Sequence, residues 1–553
     1  MVTETPATTA PPALCAPSTA TSWGSGQNPL IEWKTSAGLL GFLAVVFGIA
    51  MFNHGLIPAE EPRFAEVVRE MIARASFWVP LKNGLPYVEY PPLYYWLAIP
   101  FRLLGLPLRA AIRIPGTLAY LAWIFWMRRW LRTLFPSVAS TLPLLALAAL
   151  PIALYNFFTA HTDSLLALGV LIAYTGYARH RLGRVRGFPW ELWLGILLAT
   201  SAKGPVGIAI TLPGMGLEML LADPGLLRWT KDAGIRLWKR IFAIRPFRGL
   251  ALALSLLVLW SVVAGLQVNW DFVRAALIYQ NFTRFLSGLD HQHGPWLYLH
   301  TLWGDFFPWS LLVPLGLVAA WRLRGELPWR LALTWAVWTV FFFSLSVSKQ
   351  SKYILPAAPA LVLLSLGGSA FLFGRHAGLA QRAGGAISAS LLALFAFLAL
   401  LVLPGFVFPG LIPVPKTVQG LHRLRTYLEE HPAPVVSYLY PRPPTIYELY
   451  PLRHAPIPFV RSARALYAEI HAGVIRPGDD LLVYRDALPA AHRPVNARTL
   501  SPAPNPEYFA RIFSIPAQGG LILFKVLPAV RKMPVPRTPK PPPWHWWDQF
   551  DTD

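Results

Sequence analysis

IPAEEPRFAEVVREM, residues 57–71, follows an apolar run at 38–57 and crowds Glu60, Glu61, Arg63, Glu66 and Glu70 into one short stretch. A bilayer crossing takes roughly 20 mainly apolar residues, so these charges stand at the exit of a membrane span. Pro58 and Pro62 suit a first helical turn. The stretch therefore predicts a short interfacial helix whose polar face carries Arg63, Glu66 and Glu70. Acids at such a start also favour the helix dipole on their own, and the rest of the chain decides how much more they do.

Working outward, apolar runs recur at 93–106, 111–127, 139–158, 164–178, 189–202, 205–221, 249–266, 306–321, 331–346, 353–374 and 387–408. With 55% hydrophobic and 14% charged residues in 553, the composition is that of a polytopic helical membrane protein, read as about 12 to 13 spans. The net charge of +22, from 49 basic and 27 acidic residues, would suggest nucleic acid in a soluble chain. Here the basic residues gather in short inter-helix segments, MRRWLR (127–132), RHRLGRVRG (179–187), 228–248 and 321–330. That is the pattern of cytoplasmic loops, with some affinity for anionic membrane lipids and no nucleic-acid partner. Two full crossings between 93 and 127 would place MRRWLR on the wrong side, so 93–160 holds either a re-entrant piece or one more crossing.

Three regions follow from this pattern. Residues 1–33, rich in Ala, Thr, Ser and Pro, read as a disordered cytoplasmic tail ahead of an uncleaved anchor at 38–57. Residues 34–410 are the membrane domain, with non-basic extracytoplasmic loops at 58–92 and 267–305. Residues 411–553 read as a small extracytoplasmic α/β domain: β-rich runs fall at 433–440, 479–487 and 519–527, helical spacing falls at 417–430 and 461–472, and a Pro-rich end follows. Cys15 is the sole cysteine, so no internal disulfide forms.

Charges isolated among apolar runs mark the candidate chemistry. Glu89 lies among aromatics in NGLPYVEYPPLYYW (83–96), and a carboxylate beside the bilayer is costly unless it is paired or ligated. Tyr94, Tyr95 and Trp96 also fit an interfacial aromatic belt. Asp163 in HTDSLLALGV and Lys203 in SAKGPVG each stand between apolar runs on the same predicted face; capping or snorkelling explains either alone, and a shared site explains both. The 267–305 stretch adds Arg284, Asp290, His291, His293, His300 and Asp305, and SVSKQSKYILPAAPAL (346–361) adds Lys349 and Lys352. His291 and His293 are two apart and share no helix face, with no HExxH nearby. No P-loop or GxGxxG occurs.

The set EEPRFAEVVREM, NGLPYVEYPPLYYWL, RIPGTL (113–118), HTDSLLALG, SAKGPVG, RF then HGPWLYL and FFPW, and SKYILPAAPAL resembles, in the same order, the aminoarabinose transferase and protein O-mannosyltransferase superfamily of GT-C glycosyltransferases. It covers residues 38–410. The resemblance implies an integral-membrane enzyme that moves a sugar from a polyprenyl-phosphate carrier to an extracytoplasmic lipid or glycan acceptor, such as lipid A. Carried over by position, Glu60 is the catalytic carboxylate, where the family usually has Asp, and Asp163 supports it. Arg63, Arg284 and Lys203 bind the donor phosphate. Glu61, Glu89, Tyr90, Tyr94, His293 and Lys352 are expected substrate contacts. Tyr90 stands where aminoarabinose transferases usually carry a phosphate-binding lysine. No cofactor is required by this reading; a divalent cation, if used, would sit near Glu89 and His293. A protein O-mannosyltransferase-like activity and a lipid-linked sugar flippase are the alternatives.

Overall fold

The charged stretch at the exit of the first apolar run does form a helix, α1 (Glu61–Ala73), but its polar face does not meet solvent. Glu61, Arg63, Glu66 and Glu70 are all buried, which corrects the expectation of a surface-lying amphipathic helix. Burying charge is costly unless each charge is paired, and here each is. The protein, seen as a computed structural model, is described over residues 61–373 with gaps at 83, 136–140, 149, 224, 227–229 and 288–291, at the isolated positions 38, 41 and 52, and over 426–427, 430, 435–438, 459–460, 463–484, 509–515 and 521–529. The 1–33 tail, most of the 38–57 anchor, most of the 417–430 helical stretch and the Pro-rich end lie outside the described residues.

After α1 a two-stranded hairpin, β1 (Leu81–Lys82) and β2 (Leu85–Pro86), turns at Gly84, whose φ of 77° favours glycine. Its backbone N–H donates to both oxygens of Glu70 at 3.0 and 2.8 Å. The turn at Gly84 therefore also caps a buried acid. Helices α2 (Leu93–Leu103), α3 (Leu108–Leu134), α4 (Thr141–Ala148) and α5 (Pro151–Phe158) follow. At 1.5 Å per residue α2 is only about 17 Å long and α4 and α5 about 12 Å each, too short to cross alone. Among the described residues between 93 and 160, α3 alone has spanning length and apolarity.

Next come α6 (Thr162–Arg181), α7 (Trp190–Lys203), α8 (Val206–Leu221), α9 (Lys231–Ala243) and α10 (Pro246–Gln267). α5 and α6 meet at a bend of 119° over Thr159–His161, and α10 is the second described helix of full spanning length. α6 and α7 form an antiparallel hairpin whose closest approach is set by small residues. A Cβ built on Gly169 would lie 2.6 Å from the backbone N of Ala199, and one on Gly195 would meet the carbonyl O of Gly169 at 2.6 Å. Such glycines let helix backbones touch, the usual device where lipid offers no hydrophobic drive.

The 267–305 stretch, read as a long loop, is largely helical: α11 (Trp270–Arg274), a π-helical segment (Ala275–Thr283), α12 (Arg284–Ser287) and α13 (Leu297–Asp305). α14 (Val313–Arg322), α15 (Leu327–Leu345), a 3₁₀ turn (Ser351–Ala357) and α16 (Ala358–Phe373) complete this part. Glu218 of α8, fully buried, ties three helices by accepting from Arg330 Nε of α15 at 2.8 Å and from Tyr177 Oη and Arg181 of α6 at 2.6 and 3.4 Å.

Towards the C-terminus a five-stranded sheet runs in the order β4-β3-β5-β7-β6, from β3 (Val435–Tyr438), β4 (Phe459–Val460), β5 (Asp480–Tyr484), β6 (Phe509–Ile515) and β7 (Leu521–Val526), with α17 (Ala463–His471) between β4 and β5. β3 pairs parallel with β4 and β5, whereas β7 runs antiparallel to β5 and β6. Three strands and the helix fall in the runs expected for them; β4 and β6 were not foreseen.

Candidate active site

Asp163 opens α6 and Lys203 closes α7, so the antiparallel hairpin brings a residue pair 40 positions apart to one end. Lys203 Nζ donates to Asp163 Oδ1 at 2.6 Å, with side chains only 11% and 1% exposed. Each charge also suits its helix terminus, an acid at the positive end and a base at the negative one. The ammonium lies 4.1 Å from the centre of the Tyr353 ring, a cation–π contact that strengthens when water is excluded.

The surroundings of this pair carry further positive charge. Lys352 and Arg284 stand close enough to act on Lys203 as like charges. Lys352 reaches the pair because its 3₁₀ turn packs on α6. Arg284 follows the π-helical segment, whose wider turn brings Asn281 beside Gly204. Gly204 has φ 76° and ψ −155°, a combination open essentially to glycine, which gives SAKGPVG its glycine at 204. Among the described residues Asp163 is thus paired with Lys203, on which two further cations act. The turn that carries it is pinned: Thr159 Oγ1 and His161 Nδ1 are 2.5 Å apart and Ser164 Oγ donates to the His161 carbonyl at 2.6 Å.

A second charged group lies along α1. Arg113 of α3 grips Glu61 through Nε at 2.7 Å and Nη2 at 2.5 Å, with 1% and 0% of the side chains exposed. Both Glu61 oxygens are engaged, so this acid fastens α1 to α3. Arg63 meets Glu89 at 2.7 Å, which supplies the partner that a carboxylate in NGLPYVEY needs. Glu66 and Glu70 share Arg69 at 3.1 and 3.5 Å. Burial pushes the Glu66 carboxyl up to about 8, opposed by Arg69 and reinforced by the neighbouring Glu70.

Around Phe64 the aromatics close in. Tyr90, Tyr94 and Tyr95 place their ring centres at 6.2, 5.1 and 5.4 Å from it. Tyr94 and Tyr95 are fully buried, so they are core and not an interfacial belt. Tyr94 Oη donates to the Ile112 carbonyl at 2.9 Å and feels both Glu61 and the His161 backbone. It therefore joins the α1 group to the turn that holds Asp163.

His293 is exposed, and its backbone is what engages the fold: its carbonyl accepts from Lys349 Nζ at 3.0 Å, while the same ammonium also bonds the Ser346 carbonyl. Lys349 thus points inward to brace a turn and does not snorkel. Glu60, Asp290 and His291 lie outside the described residues. Among the described residues no three His, Cys, Asp or Glu side chains gather into a metal-ligand set. Sequence reasoning missed Arg113 and Tyr353, although both stand inside the quoted motifs RIPGTL and SKYILPAAPAL.

No protein-family model matches the chain. It is similar to undecaprenyl phosphate-alpha-4-amino-4-deoxy-L-arabinose arabinosyl transferase 1 of Pseudomonas fluorescens, 29% identical in an alignment of 352 residues that covers 59% of this chain and 58% of that one. The corresponding transferase of Pseudomonas savastanoi pv. phaseolicola is 27% identical over 387 residues, 67% of each chain. The crystal structure of ArnT from Cupriavidus metallidurans bound to undecaprenyl phosphate matches with a TM-score of 0.64 at 19% identity, over 89% of this chain and 98% of that one. The fold is that of the aminoarabinose transferases. The resemblance carried by the ordered motifs is borne out: the chain is similar to these transferases in sequence and shares the fold of one of them. The sequence match to the Pseudomonas fluorescens transferase spans less than two thirds of that relative's length.

Proposed function

We propose that this chain is a polyprenyl-phosphate-dependent glycosyltransferase that moves a sugar to an extracytoplasmic acceptor, lipid A or another envelope glycan. The observation that carries the reading is the buried Lys203–Asp163 pair at one end of the hairpin, with the cations Lys352 and Arg284 acting on Lys203, in a fold shared with a transferase that binds undecaprenyl phosphate. Breaking the bond between the anomeric carbon and the carrier phosphate leaves charge on phosphate oxygens. Fixed cations in a site poor in water stabilise that charge where it grows. Arg284 brings a planar fork suited to two phosphate oxygens at once, and Lys203, already oriented by Asp163 and Tyr353, brings a point charge.

Glu60 is the proposed base, taking the proton from an acceptor hydroxyl that attacks opposite the leaving phosphate and inverts the anomeric centre. Arg63 meets the donor by exchanging its Glu89 partner for phosphate. In this reading 34–410 is the catalytic domain of a multi-pass protein of the bacterial cytoplasmic membrane, with its site on the periplasmic face and 411–553 on the same side. The relatives' names point to aminoarabinose on undecaprenyl phosphate as the first donor to try. Tyr90, in place of the usual lysine, is the reason to try a panel.

The test is transfer by purified protein from a panel of polyprenyl-phosphate sugars, beside Glu60→Gln and Arg63→Ala with folding checked by thermal melting. One donor should turn over, and both folded variants should lose at least about 100-fold. Undiminished turnover in the variants overturns the site, and no turnover with any donor overturns the enzymatic reading.

A further inference from the structure

The opposite end of the α6–α7 hairpin has a use that sugar transfer does not explain. Asp163 and Arg179 are 16 residues apart on α6, about 24 Å along a helix at 1.5 Å per residue, so the two ends are separate places. At the Arg179 end a cavity of about 350 Å³ is lined by Phe125, Arg128, Arg129 and Arg132 of α3, by Arg179 of α6 and by Arg184 of the turn that follows. Thr133 is the remaining wall residue, its hydroxyl donating to the Arg129 carbonyl at 2.9 Å. Five guanidiniums line this space, and none of its lining residues is acidic.

The geometry points to an anion site that takes a phosphate-bearing headgroup. A cytoplasmic face needs basic residues only in number to set topology; it does not need them to converge from two helices on one concavity. Here convergence is built. Glu191 at the start of α7 receives Arg129 Nε at 2.7 Å and Arg179 Nη1 at 2.5 Å, with Trp126 Nε1 adding a third bond at 3.2 Å. One carboxylate thereby fixes two arginines from different helices at the cavity wall. Arg181, by contrast, turns away to Glu218. Arg129 and Arg179 keep 40% and 29% of their side chains exposed, so both remain reachable from solvent while Glu191 holds them.

Phosphate is the chemistry these forks match, since guanidinium groups bind its oxygens two at a time. The wall also has an apolar member, Phe125, whose side chain is exposed beside the arginines. A hollow of cations with one exposed aromatic in its wall fits a phosphate that carries an acyl tail, and basic hollows between helices on this side of a membrane are where anionic headgroups dock. Free inorganic phosphate offers the same oxygens without the tail.

The experiment uses the full chain in nanodiscs of phosphatidylcholine alone or with one third phosphatidylglycerol, and in detergent with inorganic phosphate from 0 to about 20 mM, read by thermal melting and by lipid retained on native mass spectra. The variants are Arg128→Gln/Arg132→Gln and, should that pair not fold, Arg184→Gln in the exposed turn. A rise in melting temperature and retained phosphatidylglycerol in wild type, both reduced at least about 10-fold in lipid affinity by the variant, supports the site and assigns it to a lipid headgroup. A response to inorganic phosphate alone, lost in the variant, supports the site and assigns it to a soluble phosphate. No response to either anion, or the same response in wild type and variants, overturns it.

Discussion

Two ion pairs clasp the same helix hairpin at its opposite ends, and they are near mirror images. Lys203 of α7 meets Asp163 of α6 at 2.6 Å, and Arg179 of α6 meets Glu191 of α7 at 2.5 Å. Both obey the helix dipoles, acid at the start and base at the end. They differ in their surroundings. The first pair is almost wholly buried and has two further cations beside it; the second keeps 29% and 15% of its side chains exposed. Coulomb attraction at equal distance is worth far more where water is absent, so the same pairing binds its helices more tightly at the Asp163 end than at the Glu191 end.

That contrast is open to breaking, starting with the largest effect. Asp163→Asn leaves Lys203 buried without its partner, and breaking a buried pair costs about 3–5 kcal/mol. Denaturation in detergent should show that loss, and the double change Asp163→Asn/Lys203→Met should recover most of the stability while turnover stays at least about 100-fold down. Recovery of both would reduce the pair to a structural clasp.

A change midway along the hairpin sharpens the comparison, because it strains both ends together. Gly195→Leu forces a side chain against the α6 backbone and should cost about 1–3 kcal/mol by overpacking, read by thermal melting. Further from the hairpin, Glu66 tests how burial acts on a single acid. Its folded carboxyl titrates near 8 against the ordinary 4.5, so it favours folding fully only below about 4.5, and that contribution is lost as pH rises through about 8. A stability profile from pH 4.5 to 8.5 should slope downward less in Glu66→Gln than in wild type; equal slopes would refute the buried-acid account. The smallest effect belongs to the exposed clasp: Glu191→Gln should change stability by less than about 1 kcal/mol and leave turnover within about twofold.

The order of motifs and the apolar runs made the fold class legible, because a membrane imposes its length and polarity on every segment that enters it. Asp163 and Lys203 were legible as neighbours, since isolated charges between apolar runs need a shared reason, and they do pair. Glu89 was legible as an acid in need of a partner, though Arg63 was not legible as that partner. The buried polar face of α1 was hidden, because the arginine that grips Glu61 lies 52 residues away and spacing within a helix says nothing of it. Tyr353 under Lys203 was hidden for the same reason. The run at 93–106 read as a span, yet the helix ends at Leu103 before Gly105, whose φ of 91° a helix does not allow. The π-helical segment left no periodic signature, and 267–305 therefore read as loop.

The most direct test is equilibrium binding of undecaprenyl phosphate to purified wild type, Arg284→Ala and Glu191→Gln, each first confirmed to melt cooperatively. The account predicts that Arg284→Ala weakens binding at least about 10-fold, the loss of a charge-assisted contact of roughly 1.5–3 kcal/mol, and that Glu191→Gln leaves it within twofold. Equal affinity in wild type and Arg284→Ala would contradict it, and would move the carrier phosphate away from the Asp163 end of the hairpin.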